Sequence, residues 1–118
     1  RTPTATPGAP FQLLERDQVC DRDLTKPLLI VEVEDAAGRP IPGVEVLVIW
    51  DAGQDHFFTG LKPELGSGYG DFAMERGVSY AVKLADSLQS VTGLAAEECA
   101  APDGTRFPGS WRLVFAQP

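Results

Sequence analysis

The chain has 118 residues, 43% of them hydrophobic and 23% charged, a size and composition that suit one globular domain with a real core. Its net charge of −7 argues against polyanionic partners such as nucleic acids and anionic membrane surfaces. The longest apolar runs have the length of a strand, so we expect no membrane insertion.

The first ten residues differ in composition from the rest of the chain. They read RTPTATPGAP, and Pro/Thr-rich segments of this kind are typical of extended linkers between modules of secreted proteins. We therefore divide the chain into a linker or arm at 1–10 and a β-sandwich domain at 11–118. Residues 11–20 are predicted to form the first strand of that domain.

The clearest alternation of apolar and polar residues runs from Leu28 to Glu34. It places Leu29, Val31 and Val33 on one face of a strand. A turn and a stiff proline-containing connection follow, and the next strand runs over 44–50. Both faces of that strand are apolar at its far end, which predicts a central strand covered on both sides.

Shorter elements follow at regular intervals. The sequence predicts loops at 51–55, 61–70 and 97–109, and strands at 56–59, 71–74 and 89–94. Two further strands are predicted from inward-facing residues, namely Tyr80, Val82 and Leu84 in one and Trp111, Leu113 and Phe115 in the last. No segment favours a helix longer than a turn. We predict an all-β fold, a single antiparallel Greek-key β-sandwich of Ig-like or transthyretin-like architecture.

The chain contains two cysteines, Cys20 and Cys99, on opposite sides of the strand region. A metal site would need more ligands nearby, and the CxxC motif is absent. We interpret them as one disulfide, which implies an oxidising compartment and an extracellular or cell-surface location. Two buried free thiols in a cytosolic protein are the alternative.

Two segments, VEVEDAAGRPIPGVEVLV and GDFAMERGVSYAVKL, with a threonine strand between them, resemble the carboxypeptidase regulatory-like and collagen-adhesin B-type family. The resemblance implies a transthyretin-like Greek-key β-sandwich. It covers about half of the chain and rests on these residues: Val31, Val33, Asp35, Gly38, Pro40, Gly43, Val44, Val46, Thr59, Gly70, Phe72, Gly77, Tyr80 and Val82. The Lys–Asn isopeptide bond of the adhesin domains is excluded here because the chain has no Asn.

Aromatic and polar side chains concentrate between Trp50 and Tyr69. Neighbouring side chains of a strand point to opposite faces, so Phe57 or Phe58 is expected to face solvent. An exposed ring with polar neighbours can stack on a sugar and bind its hydroxyl groups. The predicted ligand-binding residues are Asp51, Gln54, Asp55, His56, Phe58, Lys62 and Tyr69. The alternative is that most of these rings fill the core. Trp50 is expected to do so, because the alternation of its strand places it on the inward face.

The sequence offers little support for catalysis. His56 is the sole histidine, and it lies near Asp51 and Asp55, but neither a nucleophile motif nor further metal ligands accompany it. Asp21 and Asp23 begin a calcium-loop pattern that is not completed. We expect no enzyme activity, no catalytic residue, no metal site and no cofactor.

These observations favour a non-catalytic extracellular β-sandwich module of a larger secreted or surface protein. The first hypothesis is a carbohydrate-binding accessory domain with a polysaccharide or other surface glycan as its partner. The second is a structural subunit or spacer of an extracellular filament or adhesin, in which the N-terminal arm docks on a neighbouring copy of the chain.

Overall fold

The computed structural model describes residues 10–24, 26–84, 87 and 90–118. Its strands are β1 (Gln12–Val19), β2 (Leu28–Glu34), β3 (Glu45–Trp50), β4 (Gly53–Phe58), β5 (Tyr69–Ala73), β6 (Ser79–Leu84), β7 (Val91–Ala95), β8 (Glu98–Ala100), β9 (Arg106–Pro108) and β10 (Ser110–Ala116). One 3₁₀ turn, Pro63–Leu65, interrupts the connection between β4 and β5. The all-β fold is confirmed. Residues 1–9 of the predicted arm lie outside the described residues, as does position 89 of the predicted strand 89–94.

Two four-stranded sheets make up most of the domain. Sheet 1 has the strand order β1-β10-β2-β5, and sheet 2 has the order β4-β3-β6-β7. Neighbouring strands are antiparallel as predicted, except that β10 and β2 run parallel, so the prediction of a wholly antiparallel sandwich is wrong for this pair. Strands β8 and β9 form a separate two-stranded hairpin.

The core lies between the inner faces of the two sheets. The predicted inward face of β2 is confirmed, since Leu29, Val31 and Val33 are at most 1% exposed. The other fully buried aliphatic and aromatic side chains are Val46, Val48, Val82, Leu84, Leu94, Leu113 and Phe115. They come from both sheets, so burial of this apolar surface is the main force that joins them.

Strand β3 is central, as predicted, because it pairs with β4 on one side and β6 on the other. The prediction that both of its faces are covered is wrong. On its inner face Val46 and Val48 are fully buried and Trp50 is half-buried against the core, whereas Ile49 on the outer face is 38% exposed and Leu47 is half-buried. β-Branched residues favour an extended backbone even on an exposed face, so the apolar residues of β3 predict a strand but do not show that its outer face is buried.

All three predicted loops contain strand residues, since β5 begins at Tyr69 within the predicted loop 61–70. Strand β4 begins at Gly53, which makes Gln54 and Asp55 strand residues, and 97–109 contains the hairpin of β8 and β9. These segments lack apolar alternation because they lie at exposed edges. Their strands are defined by backbone pairing, which a pattern of side chains does not reveal.

Strand β1 is an edge strand with little side-chain burial. Seven of its eight residues are exposed, although the preceding Phe11 is buried in the core. The predicted disulfide joins Cys20, directly after β1, to Cys99 in β8, with a Cα–Cα distance of 5.7 Å. This bond excludes the alternative of two free thiols. Among the described residues, no helix is long and apolar enough to span a membrane.

A buried carboxylate organises the turn after β2. Asp35 Oδ1 accepts hydrogen bonds from the backbone N–H groups of Ala37 and Arg39, each at 2.9 Å. Its Oδ2 accepts one from Arg39 Nε at 3.1 Å. These donors, the backbone N–H of Arg39 above all, hold the pKa of Asp35 below its usual value.

The lowered pKa of Asp35 predicts a pH-dependent contribution to stability. The charged carboxylate stabilises the fold above the unfolded-state pKa of about 3.9, and this stabilisation is lost as pH falls through the folded-state value. We expect Asp35→Asn to be less stable than the wild type at neutral pH, with a difference that shrinks under acid conditions. Denaturant unfolding across pH measures this, with the exposed Asp51→Asn as the charge-matched control. A difference that stays constant with pH would contradict the assignment.

Candidate functional site

Strand β4 positions one group of the predicted site residues. It pairs with β3 in a register that sets Gln54 opposite Ile49, His56 opposite Leu47 and Phe58 opposite Glu45. Since paired residues share a face, these side chains lie on the outer face of sheet 2. Phe58 is 39% exposed, and the alternation of β4 turns its neighbour Phe57 towards the core.

The imidazole of His56 packs against Phe58. The two rings meet edge to face, with their centroids 5.7 Å apart. The Glu45 carboxylate lies on the same face, with its Oε2 3.9 Å from His56 Nδ1. Asp55 accepts a hydrogen bond from the backbone N–H of His56, at 2.8 Å. The His56 ring therefore extends the aromatic surface of Phe58. Within the described ranges, no group of three or more side chains is arranged to bind a metal ion.

A second group lies at the start of β5. The Tyr69 hydroxyl donates to Asp71 Oδ2 at 2.8 Å, and Lys62 Nζ donates to both oxygens of Asp71 at 2.9 and 3.0 Å. Burial, together with the Asp71 carboxylate, raises the pKa of Tyr69 well above its ordinary value. The hydroxyl therefore stays protonated, and the three side chains form a fixed polar cluster.

The two groups meet at a shallow depression between β4 and β5. Its volume is about 90 Å³. It is lined by Phe57, Phe58, Leu61, Lys62, Tyr69, Gly70 and Asp71. Leu61 stands at its rim and is 75% exposed. The arrangement places exposed apolar surface directly beside hydrogen-bonding groups of fixed orientation.

Some of the predicted residues lie away from this depression. Asp51 precedes β4 and Phe58 ends it, and at about 3.3 Å per residue the two ends of the strand are about 17 Å apart. Asp55 points away from the face that carries Phe58, whereas Gln54 shares that face. The structure therefore brings together Phe58, Lys62 and Tyr69, with His56 next to them.

Sequence reasoning missed Leu61 and Asp71. Asp71 lies two residues after Tyr69 on one strand, so the two side chains share a face, and this spacing was the available signal. No such signal exists for Leu61, because it lies in a loop, where no strand alternation predicts which way a side chain points. Its place at the rim depends on how the chain turns from sheet 2 to sheet 1.

A buried threonine anchors the segment that follows Phe58. The Thr59 hydroxyl donates to the Ile41 carbonyl at 2.8 Å and accepts from the backbone N–H of Val44 at 3.0 Å. The next residue, Gly60, donates its N–H to the Tyr69 carbonyl at 2.9 Å. These bonds tie the end of β4 to both sheets, so the Phe58 ring and the Tyr69 cluster keep a fixed spacing.

A larger cleft of about 550 Å³ opens at the other side of the sandwich, between β1 and β7. Its lining consists of Pro10, Phe11, Gln12, Leu13, Arg16, Ser87, Ser90, Val91, Thr92 and Phe115. Arg16 spans the gap beside it, because its guanidinium lies 5.0 Å from the Trp111 ring centre and donates to the Gly93 carbonyl at 3.3 Å. The cleft was not predicted from the sequence.

Comparisons of the chain with protein-family models, curated proteins and solved structures gave no match. The candidate site therefore stands on its own geometry.

Proposed function

We propose that this chain is a non-catalytic extracellular module that binds carbohydrate at the depression between Phe58 and Tyr69. The observation that carries the proposal is the exposed Phe58 ring beside the fixed cluster of Lys62, Tyr69 and Asp71. A sugar presents an apolar C–H face and a rim of hydroxyl groups. An aromatic ring with fixed polar neighbours complements both of these features.

We also propose that the chain is secreted or lies at the cell surface, and that its sandwich has a Greek-key topology. The Cys20–Cys99 disulfide favours a secreted or cell-surface protein, because such bonds persist in oxidising environments. The chain crosses repeatedly between the two sheets, which supports a Greek-key, Ig-like or transthyretin-like sandwich. The proposed relationship to the carboxypeptidase regulatory-like and collagen-adhesin B-type family rests on the sequence segments VEVEDAAGRPIPGVEVLV and GDFAMERGVSYAVKL.

Depletion of the purified domain from solution by a panel of polysaccharides tests the proposed function. We expect selective binding to one class, and a loss of affinity of about tenfold in Phe58→Ala, equivalent to about 1.4 kcal/mol. Leu14→Ala is the matched control, because Leu14 is 56% exposed on the distant strand β1. Wild-type binding by the Phe58 variant would show that the site is wrong.

A structural role is the second candidate, and the cleft between β1 and β7 favours it. Pro10 and Phe11 line this cleft at the point where residues 1–9 join the domain, beside the exposed edge of β1. In this alternative the first nine residues of one copy dock on the next copy. Light scattering should then show self-association of the full chain that is lost when the chain starts at Pro10. A full chain that stays monomeric at high concentration would eliminate this alternative.

A further inference from the structure

The shape of the candidate site narrows the kind of carbohydrate that fits it. Pockets that enclose a small ligand have volumes of about 300–1,000 Å³, whereas the depression between β4 and β5 measures about 90 Å³. A single sugar would keep most of its surface in water there. One stacked ring contributes less than the loss of translational and rotational freedom costs, so useful affinity needs contacts beyond the depression.

The outer face of sheet 2 offers such contacts next to the depression. Gln54, His56 and Phe58 are all exposed and follow one another at every second position of β4. At about 6.7 Å per pair of residues, this row extends about 13 Å from Phe58. Ile49 and Leu47 on β3 lie beside it, the first 38% exposed and the second half-buried. The surface is elongated, and most of the side chains that form it are uncharged.

The charges around this surface do not favour an anionic ligand. The ammonium group of Lys62 is already bound to both oxygens of Asp71. On the face itself, Glu45 lies opposite Phe58 and Lys83 lies opposite Leu47, so the local charges balance. The chain as a whole carries a net charge of −7, which repels polyanions.

We infer that the ligand is the interior of an uncharged polysaccharide chain, extended along β4 across Phe58, His56 and Gln54. This inference rests on the proposed function and specifies its ligand. The depression is too small to enclose a free sugar or a chain end, and the negative net charge of the chain disfavours uronate-rich polymers.

Isothermal titration of the intact domain tests this inference. The polymer probes are neutral β-glucan, xylan, mannan and soluble chitin derivatives, with polygalacturonate and alginate as anionic counterparts. Oligosaccharides of one to six units from the neutral polymer that binds provide the length series. We expect affinity to rise at least tenfold from the monosaccharide to the hexasaccharide. We also expect Gln54→Ala and His56→Ala each to weaken hexasaccharide binding about threefold, with Leu14→Ala unchanged.

The possible results distinguish failure of the extended, neutral ligand from failure of carbohydrate binding itself. A monosaccharide that binds as tightly as the hexasaccharide would overturn the extended ligand and leave carbohydrate binding in place. Stronger binding of an anionic polymer would overturn the neutral ligand. Wild-type affinity in both Gln54→Ala and His56→Ala would overturn its placement along β4. Failure of every polysaccharide to bind would overturn the proposed function and the inference together.

Discussion

Replacing both cysteines with alanine should lower the free energy of unfolding by about 4 kcal/mol, the largest effect that we expect from changes at two side chains. Cys20 and Cys99 are 79 residues apart in sequence, so the bond closes a loop that contains most of the domain. In the chain-entropy model, such a cross-link stabilises the fold mainly by restricting the unfolded chain. The slope of unfolding free energy against denaturant should rise as well, because the unfolded variant exposes more surface.

The measurement is equilibrium denaturant unfolding of the wild type, oxidised and reduced, and of the Cys20→Ala/Cys99→Ala variant. The reduced wild type and the variant should agree, which separates loss of the bond from effects of the reductant. If the free energy of unfolding of the Cys20→Ala/Cys99→Ala variant lies within about 1 kcal/mol of that of the oxidised wild type, the unfolded chain is restricted by something other than the disulfide.

The same variant should also loosen the N-terminal edge strand. Seven of the eight residues of β1 are exposed, so the strand is held by backbone pairing with β10, by surface contacts such as that of Arg16 with the Trp111 ring, by the buried Phe11 and by the disulfide at its far end. Amide exchange in β1 should therefore accelerate more than exchange in β2 or β10. Uniform acceleration would show that the bond acts on the unfolded state alone.

The central strands were predictable from the sequence because their burial is one-sided and regular. Leu29, Val31 and Val33 alternate with Ile30, Glu32 and Glu34, and a register slip of one residue would place the two glutamates in the core. Tyr80, Val82 and Leu84 follow the same rule on β6 and are buried as predicted. Strands at exposed edges have no such penalty, so β4, β8 and β9 were missed or shortened.

The candidate site was partly predictable for a similar reason. Alternation alone indicated that Phe57 or Phe58 faces solvent, and Phe58 does. The depression itself joins residues from β4, β5 and the loop between them, and no local pattern sets that spacing. It depends on bonds between distant segments, such as those of Thr59 to the connection before β3.

Gly68→Ala should lower the free energy of unfolding by about 3 kcal/mol, at the upper end of what overpacking usually costs. A Cβ at position 68 would overlap the Val33 carbonyl oxygen and lie 2.9 Å from Pro40 Cβ and 3.1 Å from the Ile41 nitrogen. Two of these three contacts are backbone atoms, which cannot turn aside as a flexible side chain does. The residue lies where β2, the connection after it and the start of β5 meet.

The clash would also break hydrogen bonds that hold these segments together. The Val33 carbonyl accepts from the Ile41 N–H at 2.9 Å, and the Gly68 carbonyl accepts from the Val33 N–H at 2.9 Å. Displacing either group leaves a buried donor or acceptor unpaired, which adds to the cost of the overlap. Denaturant unfolding measures the loss, and Gly53→Ala is the matched control, because its added Cβ would meet only Trp50 at an ordinary 3.7 Å.

The position of Gly68 makes this substitution a test of the site as well as of the fold. Tyr69 follows it directly, and Asp71 pairs with Ile30 on β2, so a shift at Gly68 changes how the polar cluster faces Phe58. We expect Gly68→Ala to bind polysaccharide more weakly than wild type even where it is fully folded, and Gly53→Ala to bind normally. Wild-type stability in Gly68→Ala would contradict the close approach of β2 to this glycine. Wild-type binding would show that ligand recognition does not depend on the spacing between the ring and the cluster.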